Sequence, residues 1–242
     1  MKIFTGVLTA GLILSAGVAT AHEEAEVANA AGFTLTGNVT LATDYLYRGL
    51  SQTTGDPALQ GGLDLGHESG FYLGIWGSNV DFADSLELDY YAGYSGEAGA
   101  GVSYDVGVLY YDYPSDPSDP QGDFLEYYGS VSWKGLTLGL NYSDDFFAET
   151  GEAYYYYGSY DLELPMGVGL SFYLAQQELD EPTFGNDDSY THYSVTFSKQ
   201  LLGVDLGLTW SDTDISKSDC AGAGFSRNDC ASTVVFSITK SM

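Results

Sequence analysis

A strict alternation of apolar and polar residues constrains this chain most, and residues 59–78 show it most clearly. One face of this stretch carries the apolar side chains Leu59, Leu63, Leu65, Phe71, Leu73 and Ile75. The other face carries Gln60, Asp64, Tyr72, Trp76 and Ser78, and a turn at residues 67–70 separates the two arms. Because successive side chains of a strand point to opposite faces, this pattern indicates a β-hairpin. One purely apolar face and one polar face predict a hairpin of a membrane-spanning barrel.

The same alternation recurs about twelve times between residue 33 and the C-terminus. The first segment runs from Phe33 to about Arg48, which exceeds the roughly 9–11 residues that a tilted barrel strand needs to cross a bilayer. Short connections such as residues 96–101 and 165–167 alternate with long ones such as residues 213–230. Short periplasmic turns and long outer loops are typical of outer-membrane barrels. We therefore predict an all-β fold, a transmembrane antiparallel up-and-down β-barrel of about twelve strands.

Composition supports this class and excludes others. The 242 residues include 31 Gly and 21 Tyr but only 6 Pro, which suits many strands, tight turns and aromatic belts. With 7 Lys+Arg against 34 Asp+Glu, the formal net charge is -27. Nucleic acid is excluded as a partner, because its phosphates need clustered basic residues. After residue 21 no apolar run approaches the roughly 20 residues that a membrane-spanning helix requires.

The N-terminus has the pattern of an export signal. A charged start at Lys2 precedes an apolar stretch that ends at Val18, and the residues Ala19-Thr20-Ala21 form an A-x-A cleavage site. We predict a signal peptide at residues 1–21, a periplasmic lead-in at residues 22–32 and an outer-membrane β-barrel at residues 33–242. An uncleaved anchor is the alternative. The expected location is the cell outer membrane of a Gram-negative bacterium.

Two cysteines, Cys220 and Cys230, lie in one Gly/Ser/Asp-rich segment. In an exported protein such a pair predicts a disulfide, and closing so small a ring contributes about 2–3 kcal/mol. No histidine or third cysteine accompanies them at ligand spacing, so we predict no metal site and no cofactor.

If the apolar face meets lipid, the polar face lines the interior. The predicted inward acids are Asp44, Asp64, Glu87, Asp89, Asp105, Glu126, Asp161, Glu163 and Asp205, and the inward bases are Arg48 and Lys134. A water-filled interior with this excess of carboxylates favours cations. We predict a porin-like channel for passive diffusion of small cationic or neutral hydrophilic solutes. The alternative is a closed structural or adhesive barrel, filled by paired side chains, whose acidic outer loops bind cations or partners.

Arg48 is a special candidate because it lies near the outer end of the first predicted strand, four residues after Asp44. Its guanidinium can anchor acids across the interior and thereby fix a constriction or a folded-in loop. A structural ion pair with no part in selectivity is the alternative.

We predict no enzymatic activity. His192 and Ser194 share one strand face, but no nucleophile motif and no recognisable third catalytic partner accompany them.

Several short motifs of residues 39–114 indicate a family resemblance. They include Thr43-Asp44-Tyr45, Arg48-Gly49, residues 55–62 and residues 78–82. On these motifs the chain resembles the TorF-type porins of Gram-negative outer membranes. The resemblance implies a barrel, an outer-membrane location and a channel role without a known solute, and beyond residue 114 it is limited to the alternation.

The C-terminus departs from the usual pattern, in which outer-membrane barrels end on an aromatic residue that the barrel-assembly machinery recognises. Here Met242 is in phase with Phe236 and Ile238, and we expect these three residues to form the assembly signal. The expected partners are therefore outer-membrane lipid and lipopolysaccharide, the barrel-assembly machinery and small solutes. The sequence leaves an oligomer open.

Overall fold

The computed structural model describes residues 31–82, 86–114 and 116–242. The elements are, in chain order, β1 (Phe33–Ala42), β2 (Leu46–Tyr47), β3 (Leu50–Ser51), β4 (Ala58–His67), β5 (Phe71–Asn79), β6 (Leu86–Gly99), β7 (Val102–Asp112), β8 (Phe124–Trp133), β9 (Leu136–Ser143), β10 (Ala153–Leu164), β11 (Val168–Leu179), β12 (Ser189–Leu201), β13 (Val204–Thr213), α1 (Lys217–Gly222) and β14 (Thr233–Ser241). The predicted signal peptide and most of the lead-in lie outside the described residues. Within those residues, no helix has the length and apolar character needed to cross a membrane.

Twelve of the strands form a closed barrel, which confirms the predicted fold class. Each barrel strand pairs antiparallel with its sequence neighbours, and β14 closes the sheet against β1. In the closing pair Leu41 lies opposite Ile238, and the backbone of Met242 exchanges two hydrogen bonds with Gly37, of 2.8 and 3.0 Å. Strands β2 and β3 pair only with each other and lie apart from the barrel sheet.

The exterior of the barrel is apolar. Leu41, Leu59 and Leu174 expose 58 to 60% of their surface, and similar side chains occur on every strand of the wall. A band of this kind is stable against lipid and unstable against water. Around the outside, Tyr127, Tyr142 and Tyr154 form a row with ring centroids 6.5 and 4.8 Å apart. This row matches the aromatic girdle of membrane-spanning barrels.

The two ends of the barrel differ. Tight turns at residues 68–70, 100–101, 134–135, 165–167 and 202–203 lie at one end, together with the beginning of β1 and the end of β14. Longer loops lie at the other end. The predicted connection at residues 96–101 is wrong in its bounds, because β6 continues through an irregular register to Gly99.

Inside the barrel, several tyrosine rings pack directly against glycines of the neighbouring strand. The pairs are Tyr91 on Gly74, Tyr72 on Gly93, Tyr128 on Gly107 and Tyr157 on Gly139. A methyl group at Gly139 would lie only 2.1 Å from Cζ of Tyr157, so a larger residue would push the ring away from the wall. The missing side chains therefore make room for tyrosine rings that lie along the wall.

Candidate functional site

The loop between β1 and β4, residues 43–57, folds into the barrel, and we call it the plug loop. The prediction that the first strand continues to Arg48 is wrong, because the strand ends at Ala42. The plug loop contains the small hairpin of β2 and β3, whose turn consists of Arg48 and Gly49 with φ angles of 51° and 86°. Positive φ at both positions is the geometry of a tight type I′ turn. The hairpin directs Arg48 towards the opposite wall of the barrel.

The Arg48 side chain joins two strands across the interior. Its guanidinium forms a salt bridge with Glu126 on β8 and donates a hydrogen bond of 2.7 Å to Oε1 of Gln177 on β11. The guanidinium carbon also lies 4.4 Å from the ring centre of Tyr155 and 4.7 Å from that of Tyr47. Arg48 is 6% exposed and Glu126 is 1% exposed, so water does not screen this pair.

Other donors hold Glu126 in place. Tyr111 donates to its Oε2 at 3.1 Å, and the Asn141 amide donates to the same oxygen at 3.3 Å. Side chains of the protein therefore supply hydrogen-bond partners to both oxygens of the Glu126 carboxylate. This arrangement corresponds to the predicted anchoring of a folded-in loop by Arg48, and whether it affects selectivity stays a prediction.

The tip of the plug loop packs tightly against β12 and β13. Tyr190 donates a hydrogen bond of 3.2 Å to the carbonyl oxygen of Arg48. A methyl group at Gly49 would lie 2.7 Å from both Cδ2 of His192 and Cγ2 of Thr213. Glycine is therefore required at this position both by the backbone angle and by the contact.

His192 is part of a buried hydrogen-bonded chain. Its Nδ1 lies 2.8 Å from the Tyr155 hydroxyl, and its Nε2 lies 3.1 Å from the Ser211 hydroxyl. Ser194, which the sequence placed on the same face, is not the partner of His192. Ser211 is fully buried, and Gly49 of the plug loop packs on the imidazole. These hydrogen bonds join β10, β12 and β13 where the plug loop packs against them.

The base of the plug loop is held by its own polar side chains. Asp44 accepts hydrogen bonds from the hydroxyls of Ser51 at 2.7 Å and Thr53 at 2.9 Å. Burial raises the pKa of Asp44, and these two hydrogen bonds oppose that rise in part. The predicted disulfide between Cys220 and Cys230 is confirmed. Leu50 of the plug loop belongs to the same buried cluster as both cysteines, and Ser51 N–H donates to the Asp229 carbonyl at 2.8 Å.

Tyrosine hydroxyls satisfy several other inward carboxylates. Glu87 accepts from Tyr45 of the plug loop at 2.5 Å and from Tyr113 at 2.6 Å. Nearer the short-turn end, Asp105 accepts from Tyr72 at 2.6 Å. Asp64 accepts a short hydrogen bond from Tyr91.

The structure separates the predicted interior residues into two groups. Asp44, Arg48, Asp64, Glu87, Asp89, Asp105 and Glu126 lie inside the barrel beside or below the plug loop. Asp161, Glu163 and Asp205 lie at the short-turn end, where Glu163 is exposed. Lys134 does not join the others, because it occupies the exposed turn between β8 and β9 with its Nζ 4.5 Å from the Trp133 ring centre.

Sequence reasoning missed several residues that form this site, namely Tyr45, Tyr113, Asn141, Gln177 and Tyr190. The tyrosines follow the strand alternation, so the pattern places them either in a girdle or in the interior without distinguishing the two. The pair Arg48-Gly49 was the one local signal of a turn. The residues of the predicted assembly signal, Phe236, Ile238 and Met242, lie exposed on the exterior.

A closed barrel with an apolar exterior, a polar interior and an inward loop defines a class, the porin-like membrane barrels. The chain belongs to the family described as "Bacterial protein of unknown function (Gcw_chp)", whose model matches residues 26–242.

Two solved structures share this fold. The NanC porin is 10% identical, with a TM-score of 0.53 over 85% of this chain and 97% of that one. The KdgM porin is 9% identical, with a TM-score of 0.56 over 86% of this chain and 99% of that one. At such identities the likeness concerns the fold. A search of curated protein sequences gave no match.

Proposed function

We propose that the protein is an outer-membrane channel through which small cationic or neutral hydrophilic solutes diffuse, with the plug loop controlling the path. The long loops face the outside of the cell and the short turns face the periplasm. The observation that carries the proposal is the charge of the interior. Carboxylates line it from the plug loop to the short-turn end, whereas the base that reaches them, Arg48, belongs to the plug loop.

The position of this charge supports a preference for cations. Below the plug loop, Asp64 and the tyrosines Tyr72 and Tyr128 are half-buried rather than fully buried, so this part of the interior is in contact with solvent. A wet interior surrounded by low-dielectric walls concentrates ions of the opposite sign. Because the Arg48 charge sits on a loop and not on the wall, a displacement of the plug loop would remove it from the path.

The test is conductance. Purified protein in a planar bilayer should give discrete steps, and a salt gradient should give a reversal potential of the sign expected for cations. Liposome swelling with cationic, neutral and anionic solutes of matched size should show the slowest uptake for the anions. Steps with an anion-selective reversal potential would contradict the proposed charge preference.

A closed structural or adhesive barrel is the second candidate, and the packing of the plug loop favours it. The tip contacts Glu126, Gln177, Tyr155, Tyr190 and His192, which leaves the long-loop half of the interior filled. A variant with residues 44–55 replaced by a Gly/Ser linker distinguishes the candidates. If neither this variant nor the wild type conducts, the barrel is closed and the channel proposal fails.

The proposal also includes the family resemblance, the partners and the absence of an enzymatic role. The motifs in residues 43–62 support the resemblance to TorF-type porins. Lipid, lipopolysaccharide and the barrel-assembly machinery are the proposed partners, and the apolar exterior is the feature that supports contact with lipid. A passive channel requires no catalytic residue, and we propose no enzymatic role.

A further inference from the structure

One buried carboxylate inside the barrel differs from all its neighbours. Asp89 points inward from β6 and is 0% exposed, and among the described residues neither of its carboxylate oxygens has a hydrogen-bond partner. The adjacent Glu87 and the nearby Glu126 both have donors on both oxygens. A buried carboxylate without a donor is costly, because it has lost its hydration and gained nothing in return.

The local charge balance makes the isolation of Asp89 more costly. Glu87 lies two residues before Asp89 on the same face of β6, and Glu126 accepts a hydrogen bond from Tyr111, the cross-strand neighbour of Asp89. Both carboxylates therefore oppose a negative charge on Asp89. Arg48 forms its salt bridge with Glu126 and makes no hydrogen bond to Asp89. When ionised, the three carboxylates of Asp89, Glu87 and Glu126 therefore carry more negative charge than the guanidinium of Arg48 neutralises. A buried excess of this kind is compensated either by protonation of a carboxyl group or by a positive occupant that the side chains do not supply.

Aromatic residues flank Asp89 on both neighbouring strands. Trp76 of β5 and Tyr111 of β7 are its direct cross-strand neighbours. Two tyrosines of the plug loop cover these rings in edge-to-face contacts, Tyr45 on Trp76 at 5.6 Å and Tyr47 on Tyr111 at 5.7 Å. Ring faces attract cations, especially where water is excluded.

We propose that Asp89 binds one monovalent cation, an alkali-metal ion or a protonated amine, between Trp76 and Tyr111 beneath the plug loop. A divalent ion does not suit the site, because Asp89 offers a single carboxylate and, in the described part of the chain, no group of three or more His, Cys, Asp or Glu side chains is arranged to hold a metal. The inference rests on the proposed channel for the route by which the cation arrives, whereas binding itself is an equilibrium property.

The experiment measures the stability of the full-length protein in detergent. RbCl replaces N-methylglucamine chloride at constant ionic strength, and the thermal midpoint is recorded. Binding to the folded state should raise the midpoint of the wild type with Rb⁺ concentration. Asp89→Asn should abolish this dependence and should be more stable than the wild type without Rb⁺, because it removes an unpaired charge. Asp105→Asn is the matched control, since Tyr72 already donates to that carboxylate, and it should retain the dependence.

A parallel titration with methylammonium chloride distinguishes the two kinds of cation. Should Asp89→Asn fail to fold, anomalous diffraction from wild-type crystals soaked in RbCl locates the ion directly, with the peak expected beside the Asp89 carboxylate. The proposal fails if the wild type responds to neither cation, if Asp89→Asn responds equally, or if stability follows pH alone, because the occupant is then a proton. A barrel that binds the cation without conducting refutes the channel alone, and a conducting barrel without cation-dependent stability refutes the Asp89 site alone.

Discussion

The replacement Arg48→Ala tests the role of the plug loop most directly. It removes the salt bridge to Glu126, the hydrogen bond to Gln177 and the stacking on Tyr155. Glu126 retains Tyr111 and Asn141 as donors, so the wall of the barrel keeps its own polar contacts. The loss therefore falls on the attachment of the plug loop, and we expect the loop to leave the interior much more often.

The magnitude follows from the burial of the pair. Removing one partner of a buried salt bridge costs about 3–5 kcal/mol. If the remaining donors on Glu126 reduce this to about 3 kcal/mol, the equilibrium between the inserted and displaced loop shifts by roughly 100-fold. Openings that are rare in the wild type should then become frequent.

The assay is single-channel recording in a planar bilayer, together with the reversal potential in a salt gradient. Arg48→Ala should increase the open probability and should also increase the cation/anion permeability ratio, because it removes a positive charge from the path. Arg48→Lys should also increase the open probability, since a single ammonium group cannot reproduce the fork that reaches both Glu126 and Gln177. Because it keeps the positive charge, it should change the permeability ratio less than Arg48→Ala does.

Lys134→Ala is the matched control, because it removes the same charge from an exposed turn far from the plug loop. Its open probability should equal that of the wild type. If Arg48→Ala leaves both the open probability and the permeability ratio unchanged and only impairs folding, Arg48 is a structural ion pair and the reasoning about the plug loop is wrong.

Three further predictions address other parts of the barrel. The double replacement of Cys220 and Cys230 by serine should lower stability by about 2–3 kcal/mol. It should also raise the open probability, because the loop that packs with Leu50 is no longer closed by the disulfide. Unchanged single-channel recordings would show that the disulfide does not help to hold the plug loop. Gly139→Ala should lower the thermal midpoint by displacing Tyr157, whereas Gly66→Ala, which meets nothing within 4 Å, should have little effect. Equal midpoints would contradict the tyrosine–glycine packing. Met242→Asp should reduce the amount of protein in the outer membrane on an immunoblot of membrane fractions, and wild-type levels would argue against the predicted assembly signal.

The wall of the barrel could be predicted from the sequence because it depends on a local rule. A period of two residues decides which side chains meet lipid, and each strand carries this information independently. The alternating loop lengths then distinguish the short-turn end of the barrel from the long-loop end. The bound that failed at Ala42 lies where the alternation continues beyond the point at which the backbone leaves the wall. At Gly99 the opposite holds, because the strand continues through residues 96–99, which show no apolar alternation.

The interior was less predictable because its contacts join residues far apart in the chain. Arg48 stood out as a rare base, yet nothing in the sequence assigns Glu126 and Gln177 as its partners. Lys134 was misplaced because the inward phase of β8 was continued one residue past the strand, into the turn that Lys134 forms with Gly135. Asp89 illustrates the same limit, since the nearby tyrosine hydroxyls donate to Glu87 and Glu126 instead, and the sequence does not assign these partners.

The plug loop also has a consequence for biogenesis. It precedes most of the barrel in the chain, but Gln177 and Tyr190, which hold its tip, follow Arg48 by 129 and 142 residues. The plug loop therefore cannot make these contacts until β11 and β12 are in place, and contacts of such long range form slowly. Because the contacts of the plug loop lie on β11 and β12 and the sheet closes where β14 meets β1, we expect the loop to reach its final position only late in assembly, close to the closure of the barrel.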